Sequence, residues 1–393
     1  MMRSIALVVV LVLGRFSSAD EPILTSLDGK THPLKLSAAG QIEGIAASEI
    51  FRIDFAPKES SGEVSDRANY TVRTDWGGQF SATSLETGDN KLKFTSPLIK
   101  ELAIPISALH GIERDSLLTP IGRRELMKTV AANSTKDVLL IEKDNGTLAL
   151  VGLFLGVRDH RFLFRWQDAD REVEPNKLIA LALASATEQP KPARDFVGII
   201  AGNEIVTGKL TTITTDSITV DAPLLGALKI PREKIPFVDF VVGRRTWVSD
   251  LTPTEVRETP FFGQSTAMGW QRDASVEGHA LRLRRSGRIE EYAKGLGTHA
   301  RCELIYKLDG KFRTLIGVIG IDAEASARGS AEFIVLADGK EIYRSGVRKA
   351  DDDPRRIFVP VAGIQSLTLR SDFAPNSLGI AAHADWADLQ LIE

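Results

Sequence analysis

Six residues near the end of the sequence have side chains of the types that hold ligands. They are Tyr292, Thr298, His299, His383, Asp385 and Trp386. The first three flank a Gly-Leu-Gly bend, and the other three precede the last apolar run of the chain. Hydroxyl, imidazole and carboxyl groups fix a polar ligand by hydrogen bonds, and an aromatic ring offers it an apolar face. We therefore treat the six as candidate ligand-binding residues.

The same residues also have structural or metal-binding interpretations. Trp386 is consistent with a core position, and His299 with Asp385 is consistent with a buried hydrogen-bonded pair that fixes two strand ends. His383 and Asp385 could also ligate a metal, but two ligands one residue apart do not match the spacings of known zinc sites. A structural calcium on loop carboxylates such as Asp322 has no spacing motif in its favour. We predict neither a metal ion nor another cofactor.

Enzyme signatures are absent from the sequence. It contains no G-x-S-x-G elbow, no H-E-x-x-H motif, no phosphate-binding loop and no Rossmann fingerprint. Paired carboxylates that cleave glycosides are brought together only by the fold, so spacing along the chain does not reveal them. A chain of small β modules leaves little room for a catalytic domain. We therefore predict a non-catalytic protein.

The elements that position these residues read as strands. Short runs rich in Val, Ile, Leu, Phe and Thr alternate with Gly, Asp, Asn and Pro, which is typical of strands and turns. Only Pro120–Ala132 has weak helical spacing. A length of 393 residues with 43% hydrophobic residues indicates two to four folded domains. The predicted class is all-β.

A degenerate repeat runs through residues 70–241. Three apolar-x-Pro corners end at Pro105, Pro175 and Pro231, and the turn glycines Gly78, Gly146 and Gly202 precede them by 27, 29 and 29 residues. This spacing predicts three small β-barrel-like modules at residues 68–115, 137–185 and 195–243. They are generically similar to Src-homology-3-like and Sm-like barrels. Residues 20–67 are predicted to be an N-terminal β segment that could be an incomplete copy.

Charge excludes one class of partner. The 49 basic residues nearly balance the 52 acidic ones, and the net charge is −3. Sm-like barrels bind RNA, but the repeats have no basic stripe with interleaved aromatic residues. We predict no nucleic-acid partner, and interpret the repeats as spacers or as a surface for an envelope protein.

The N-terminus reads as a signal peptide. Arg3 precedes the apolar run Ile5–Leu13, and small residues at Ser17–Ala19 precede Asp20. A membrane anchor is the alternative, but spanning a bilayer takes roughly 20 apolar residues and this run has nine. We predict cleavage of residues 1–19, a secreted or periplasmic protein, and no stable membrane span.

The single cysteine excludes an internal disulfide. Cys302 lies in the alternating run Cys302–Tyr306, where a buried structural thiol is favoured over a nucleophile. The exported domains must therefore be stabilised by packing alone.

The pattern of the sequence changes from about residue 245. Two Asp-Gly pairs, Asp309-Gly310 and Asp338-Gly339, lie between alternating runs and favour type I′ hairpin turns. About eight strands in residues 245–393, without a helical pattern, predict a β-sandwich.

Ordered motifs make this segment resemble the NPCBM family of carbohydrate-binding modules. The matching stretches are Trp247–Leu251, Gly295–Ala300, Gly317–Asp322, Gly329–Phe333, Ala337–Gly346 and His383–Asp388. The resemblance covers about 38% of the chain and says nothing of the repeats. It implies a galactose-binding-like jelly roll and a sugar-binding role, as in relatives attached to glycoside hydrolases. One departure from the family pattern is the charged stretch Arg284–Glu291 before Tyr292.

The resemblance gives the candidate residues a specific role. If the module binds a sugar, His299 and Asp385 are expected to bond hydroxyls while Tyr292 or Trp386 offers an apolar face. The predicted function is that of a secreted, non-catalytic carbohydrate-binding protein whose partner is a glycan. The alternative is a structural or protein-interaction component of the cell envelope without sugar binding.

The predicted export of the protein can be tested directly. Mass spectrometry of the native protein is expected to find an N-terminus near Asp20, because the small residues before it suit signal peptidase. An intact Met1 in the mature pool would contradict the prediction.

Overall fold

The computed structural model describes residues 21–55, 70–114, 126, 128–130, 132–133, 135–143, 146–184, 191–259, 269–375, 379 and 381–393. Strands dominate these ranges and confirm the all-β class. The predicted signal segment, residues 1–19, lies outside them, as does most of the stretch 120–132, although residues 126, 128–130 and 132 are helical. No helix in the described ranges has the length and apolar character needed to cross a membrane.

The N-terminal segment contributes three strands. They are β1 (Ile23–Ser26), β2 (Thr31–Pro33) and β3 (Ile50–Asp54), and a 3₁₀ turn at Ala47–Glu49 precedes β3. β1 pairs antiparallel with both β2 and β3. β3 pairs in turn with the last strand of the third repeat. The segment therefore extends the sheet of that repeat.

Three units follow with one order of elements: a first strand, a long bent second strand, two more strands, a 3₁₀ turn and a last strand. The first has β4 (Tyr70–Thr74), β5 (Gln79–Ala82), β6 (Glu86–Gly88), β7 (Lys91–Phe94), β8 (Leu102–Pro105) and β9 (Leu109–Arg114), its second strand being divided into β5 and β6. The second has β10 (Asp137–Lys143), β11 (Gly146–Arg158), β12 (Arg161–Trp166), β13 (Ala169–Val173) and β14 (Leu178–Ala182). The third has β15 (Phe196–Ala201), β16 (Glu204–Ile213), β17 (Ser217–Ala222), β18 (Gly226–Pro231) and β19 (Phe237–Asp239).

The repeat signals coincide with the same points of each unit. The corner prolines begin or directly precede the 3₁₀ turns Ile106–Ala108, Pro175–Lys177 and Arg232–Lys234. Proline has a fixed φ and no N–H to donate, which suits it to the end of a strand. In each unit the first strand pairs with the second and with the last, and the fourth pairs with the third.

The units do not stand apart from one another. β14 pairs with β9 through Leu181 and Ile112, and Ile205 of β16 pairs with Gln79 of β5. One hydrophobic core runs through the N-terminal segment and all three units. Hydrogen bonds therefore cross the proposed module boundaries, and the division into three barrels at residues 68–115, 137–185 and 195–243 stays a prediction.

A buried carboxylate joins the third unit to the first. Glu204, at the start of β16, is 4% exposed. Its Oε1 accepts hydrogen bonds from Ser96 Oγ (2.5 Å) and the Ser81 N–H (3.2 Å), and its Oε2 accepts one from the Leu98 N–H (2.8 Å). Burial raises the pKa of Glu204, whereas these bonds oppose the rise. Glu204 thus supplies hydrogen-bond acceptors to β5, through Ser81, and to the loop between β7 and β8, through Ser96 and Leu98.

Residues 244–393 form a sandwich of two sheets. One sheet has the order β22 (Gln271–Arg272), β25 (Gly295–His299), β32 (His383–Ile392), β27 (Thr314–Ile321) and β30 (Arg355–Pro360), with β20 (Arg245–Trp247) also on β32. The other has β21 (Glu255–Glu258), β26 (Cys302–Lys307), β31 (Ser366–Phe373), β28 (Ser330–Ala337) and β29 (Lys340–Lys349). A hydrophobic core fills the space between them, as in other sandwiches.

The two Asp-Gly turns have different outcomes. Asp338 and Gly339 both have positive φ and join β28 to β29, which confirms that hairpin. Asp309 and Gly310 also have positive φ. However, β26 pairs with β21 and β31, whereas β27 pairs with β30 and β32. The predicted hairpin between β26 and β27 is therefore wrong, because this turn carries the chain from one sheet to the other.

The charged stretch before Tyr292 forms a separate hairpin. β23 (Leu281–Arg285) pairs with β24 (Arg288–Tyr292). Leu283 packs on Val318 and Ala387, and Tyr292 packs against the same group. The hairpin therefore covers the outer face of the first sheet with its apolar side chains. Most of its charged side chains are directed towards solvent.

A polar chain crosses the apolar core of the sandwich. Trp386 Nε1 donates to Ser371 Oγ (3.0 Å), the hydroxyls of Ser371 and Thr298 lie 2.7 Å apart, and Thr298 Oγ1 donates to the Ala384 carbonyl (2.9 Å). The Trp386 ring also meets the Phe333 ring edge to face at 5.0 Å. This chain gives hydrogen-bond partners to three buried side chains, Trp386, Ser371 and Thr298, which belong to both sheets.

Cys302 belongs to the same core. It is 1% exposed, and burial raises the pKa of its thiol to about 12. A thiol that stays protonated is a poor nucleophile. The prediction of a buried structural cysteine is confirmed.

An apolar interface joins the sandwich to the N-terminal part. Phe51 meets Phe358 edge to face at 5.5 Å, and Val241, Ile316 and Ile392 are buried in the same cluster. Beside it, Arg313 and Glu49 form a two-pronged ion pair at 2.9 and 3.0 Å. The two parts are therefore packed together and not merely tethered.

The buried carboxylate predicts a stability effect. Glu204→Ala is expected to lower the free energy of unfolding by about 3 kcal/mol, because a hydroxyl and two backbone N–H groups lose a charged acceptor. The melting temperature should fall by on the order of 5–10 °C. Glu101→Ala, at an exposed carboxylate just before β8, is the matched control. Equal melting of both variants would show that Glu204 does not hold the units together.

The polar chain in the sandwich predicts a second effect. Ser371→Ala is expected to cost about 1–3 kcal/mol, because the buried Trp386 N–H loses its acceptor. In a Trp386→Phe background the same change should cost less, since the donor is already gone. Thermal melting of the three variants, with Ser366→Ala on the same strand as control, measures the difference. An undiminished cost in the Phe background would contradict the assigned bond.

Candidate ligand-binding rim

The predicted residues converge at one end of the first sheet. β25 and β27 both run antiparallel to β32, so their last residues meet its first residues. His299 at the end of β25 pairs with His383 at the start of β32, and Ile321 at the end of β27 pairs with Ala384. Loops leave the sandwich at this end. We use the name rim for Glu277, His279, His299, Glu324 and His383.

Two histidines form the base of the rim. The ring centroids of His299 and His383 lie 5.8 Å apart. His299 is half-buried, and its Nδ1 lies 2.7 Å from the Ala300 carbonyl, so this nitrogen carries the proton and donates. Burial lowers the pKa of His299, the hydrogen bond to the Ala300 carbonyl opposes this fall, and the neighbouring His383 adds to it. His299 is therefore a neutral imidazole near pH 7 with Nε2 as an acceptor.

The carboxylates of the rim come from two loops. A tight turn places Glu277 at its tip, because the Gly278 N–H donates to the Ser275 carbonyl (2.8 Å) and the Ser275 N–H donates to the His279 carbonyl (2.8 Å). Glu324 follows β27 and is held by its own backbone, whose N–H donates to Asp322 Oδ1 (2.8 Å). Both loops bring an acid to His383.

His383 lies between these two acids. Its Nδ1 is 3.7 Å from Glu277 Oε1 and 3.7 Å from Glu324 Oε1. On the other side of Glu324, His279 Nδ1 lies 2.8 Å from Oε2. Within the described ranges, His383 Nδ1 and Glu324 Oε1 are buried without a hydrogen-bond partner. These two atoms lie 3.7 Å apart, which is too long for a direct hydrogen bond.

Asp385 lies beneath the rim. It is 1% exposed, and burial raises its pKa well above the ordinary value, with the nearby acids Asp322 and Glu324 adding to the rise. This rise favours the protonated carboxyl, and both Asp385 carboxyl oxygens are buried without a hydrogen-bond partner among the described residues. Asp385 is buried in this arrangement, so a contact with a sugar hydroxyl would require the residues that cover it to move, and its ligand role stays a prediction. The alternative pairing with His299 is absent, since His299 bonds Ala300.

Thr298 and Trp386 point into the core. Both are 1% exposed, and both belong to the polar chain through Ser371. β32 alternates, so Ala384 and Trp386 face the other sheet while His383 and Asp385 face outward. The burial of Trp386 favours its interpretation as a core residue, and Thr298 links two strands through its hydroxyl, so the ligand roles of both stay predictions.

Tyr292 is separated from the rim. It precedes β25, whereas His299 ends it, and the strand between them is roughly 13 Å long at about 3.3 Å per residue. Its hydroxyl donates to Glu290 Oε2 (2.7 Å), and burial, helped by Glu290, raises its pKa to about 12. Of the six predicted residues, the structure brings together the rings of His299, which is half-buried, and His383, which is buried.

Sequence reasoning missed Glu277, His279 and Glu324. They lie in loops, and neither their types nor their distances along the chain from His383 form a known motif. Asp322 was recognised as a loop carboxylate, and it holds the loop that carries Glu324. One sequence signal could have pointed to Glu324. The stretch Gly317–Asp322, which resembles the family motif, ends two residues before it.

A pocket elsewhere in the molecule has less suitable chemistry. It has a volume of about 490 Å³ and lies between the N-terminal segment and the third unit, lined by apolar residues such as Ile42, Phe196 and Phe240. Its charged side chains are already engaged. The bonds are Arg194 to Glu393, Lys209 to Asp195, and Arg244 to the Ser48 carbonyl. The rim, which has buried unpartnered polar atoms, is the better candidate site.

Comparison with known proteins gives matches to the C-terminal part. Residues 244–392 match the model of the NPCBM/NEW2 domain. The “Putative endo-alpha-N-acetylgalactosaminidase” of Renibacterium salmoninarum is 34% identical over 101 residues, which cover 26% of this chain and 7% of that protein. The alpha-1,3-galactosidase B of Akkermansia muciniphila is 36% identical over 104 residues, covering 25% and 13%. The match therefore spans less than a seventh of either curated relative.

Among solved structures, CBM51 from Clostridium perfringens GH95, in complex with methyl-galactose, is 28% identical and has a TM-score of 0.33. The alignment covers 37% of this chain and 99% of that one. The matched range in the family model begins and ends with the sandwich described above. The chain thus carries an NPCBM/NEW2 domain at residues 244–392, similar to carbohydrate-binding modules.

Proposed function

We propose that this protein binds glycans that end in galactose or N-acetylgalactosamine, through the rim of its C-terminal sandwich. The observation that carries the proposal is the NPCBM/NEW2 domain at residues 244–392. The names of both curated relatives specify galactose-type sugars, and a matched solved module is in complex with methyl-galactose. These names support the choice of sugar.

The rim has the groups that hydroxyl recognition needs. His299 is neutral and half-buried, and its Nε2 accepts a hydrogen bond from a hydroxyl. Glu277 and His279 lie on the exposed side, where acceptors and donors meet solvent. A few fixed polar groups beside ring faces are typical of small-ligand sites. His299 is the rim residue that we assign to direct contact.

We also propose that the protein is non-catalytic. Glu277 and Glu324 have carboxylate oxygens within 4.8 Å of each other. Glycosidases place their two carboxyl groups about 5–5.5 Å apart when they retain configuration and about 6.5–9.5 Å apart when they invert it. The Glu324 side chain is 8% exposed and bonded to His279, so it is poorly placed to reach a glycosidic oxygen. The rim therefore suits binding better than cleavage.

Secretion completes the proposal. The residues at the N-terminus favour export, and glycans of this kind are found outside cells. The N-terminal units then act as a spacer or as a surface for an envelope partner. A structural role in the envelope without sugar binding is the competing function.

Calorimetric titration of the full chain with methyl galactoside and N-acetylgalactosamine tests the proposal. We expect binding of at least one of them and none of glucose. His299→Ala should weaken binding by roughly 2–10-fold, because a hydrogen bond between two neutral groups is worth about 0.5–1.5 kcal/mol.

The control is His32→Ala, on β2 and remote from the sandwich core, which should bind as the wild type does. Melting temperatures are measured on the same samples, because His299 also borders a strand end. Weakened binding with unchanged melting supports the site. Failure of the wild type to bind either sugar, confirmed on a glycan array, would overturn the proposal in favour of the envelope role.

A further inference from the structure

We propose that Glu277, Glu324 and His383 form a binding site for one divalent transition-metal ion of the Zn²⁺ type. The proposal concerns the inner side of the rim and does not depend on sugar binding. The three residues come from the turn before β23, the loop after β27 and the start of β32. The fold therefore assembles ligands that lie far apart in the sequence.

The spacing of the ligand atoms suits a metal. His383 Nδ1 is 3.7 Å from an oxygen of each glutamate, and the three atoms lie within 4.8 Å of one another. Zn²⁺ binds nitrogen and carboxylate oxygen at about 2.0–2.2 Å in tetrahedral geometry, which puts ligand atoms about 3.4 Å apart. The observed separations are too long for direct hydrogen bonds, but small side-chain shifts would bring the atoms to this distance.

The burial of His383 and Glu324 favours a bound cation between them. His383 is 7% exposed, and the Glu324 side chain is 8% exposed. Within the described part of the chain, His383 Nδ1 and Glu324 Oε1 have no hydrogen-bond partner although both are buried. A buried polar atom without a partner costs about 1–3 kcal/mol, and a buried carboxylate costs more. One dication between the two atoms removes both costs.

Neighbouring groups hold the glutamate in the required orientation. His279 Nδ1 lies 2.8 Å from Glu324 Oε2, which leaves Oε1 directed at His383. Asp322 accepts hydrogen bonds from the backbone N–H groups of Glu324 (2.8 Å) and Arg282 (3.0 Å) and so fixes the loop. Outer groups that orient ligands in this way are typical of metal sites.

The donor set selects the class of metal. One imidazole nitrogen with two carboxylates suits Zn²⁺ and other first-row transition metals. Calcium takes six to eight oxygen ligands and does not favour imidazole. Three protein ligands also leave a coordination position for water. The competing explanation is a protonated His383 that bridges the two acids without any metal.

Metal binding to the full chain is measured after dialysis against a chelator. Titration with Zn²⁺ alone, followed calorimetrically, is expected to give one site per chain, with Ca²⁺ at least 100-fold weaker. Zn²⁺ should also raise the melting temperature, because an ion that binds only the folded state stabilises it. Elemental analysis after gel filtration counts the ions retained.

Two ligand variants, one variant of an orienting residue and two controls make the site testable. Glu277→Gln lies at an exposed turn and should keep the fold while weakening Zn²⁺ by 10-fold or more. His383→Ala should abolish the site, and His279→Ala should weaken it by roughly 10–100-fold through the orientation of Glu324. Glu291→Gln, at an exposed carboxylate on β24, and His32→Ala should bind as the wild type does.

The outcomes separate the two explanations. One retained ion in the wild type that is lost in Glu277→Gln and His383→Ala supports the site. No stoichiometric binding, or equal binding by all variants, overturns it and leaves the protonated histidine. Galactoside titrations with and without Zn²⁺ keep this result apart from the sugar proposal, since either can fail while the other stands.

Discussion

The pairing of β32 with β25 on one side and β27 on the other is the constraint on which the C-terminal site depends. These two ladders run along nearly the whole length of β32. A one-residue slip would exchange its two faces, so that Trp386 would leave the core and His383 would enter it. The buried chain from Trp386 to Ser371 and Thr298 opposes such a slip, because it matches polar atoms at one register. The core polar groups thus fix the direction of the rim side chains.

The same register explains why so many ionisable groups are buried close together. His383, Asp385, Asp322 and Glu324 lie where the outer face of the sheet is covered by a hairpin and two loops. Desolvation of charges is costly; backbone N–H groups offset this cost for Asp322, and the raised pKa of Asp385 favours its uncharged form. For Glu324 and His383 the cost of burial is offset only in part, because Glu324 Oε1 and His383 Nδ1 have no hydrogen-bond partner among the described residues. Such incomplete compensation is more common at functional sites than in ordinary cores.

Much of the fold could be predicted because its signals are local. The apolar-x-Pro corners mark 3₁₀ turns in all three units, and Asp338-Gly339 forms its hairpin. Asp309-Gly310 has the same dipeptide and the same positive φ, yet it crosses between sheets, because strand pairing is decided by distant partners. The continuous ladders between units were unpredictable for the same reason. Local patterns specify elements, and long-range pairing specifies their arrangement.

The candidate site was predictable only in part. The alternation of polar and apolar residues in His383–Asp388 could not show which face is covered, since the covering hairpin lies about 100 residues away in the sequence. The sequence therefore did not show that Trp386 and Asp385, which were assigned ligand roles, are buried. Glu277 and Glu324 were missed because only the folded chain brings them to His383.

The position of β32 has a mechanical consequence. Its first residue lies at the rim, and its last, Ile392, is buried against Phe51 and Val241 at the interface with the N-terminal part. The two ends are about 30 Å apart for an extended strand of this length. A glycan held at one end and an anchored partner at the other would pull along the strand axis. The ladder bonds are perpendicular to that axis, so they would share the load in shear instead of opening one at a time.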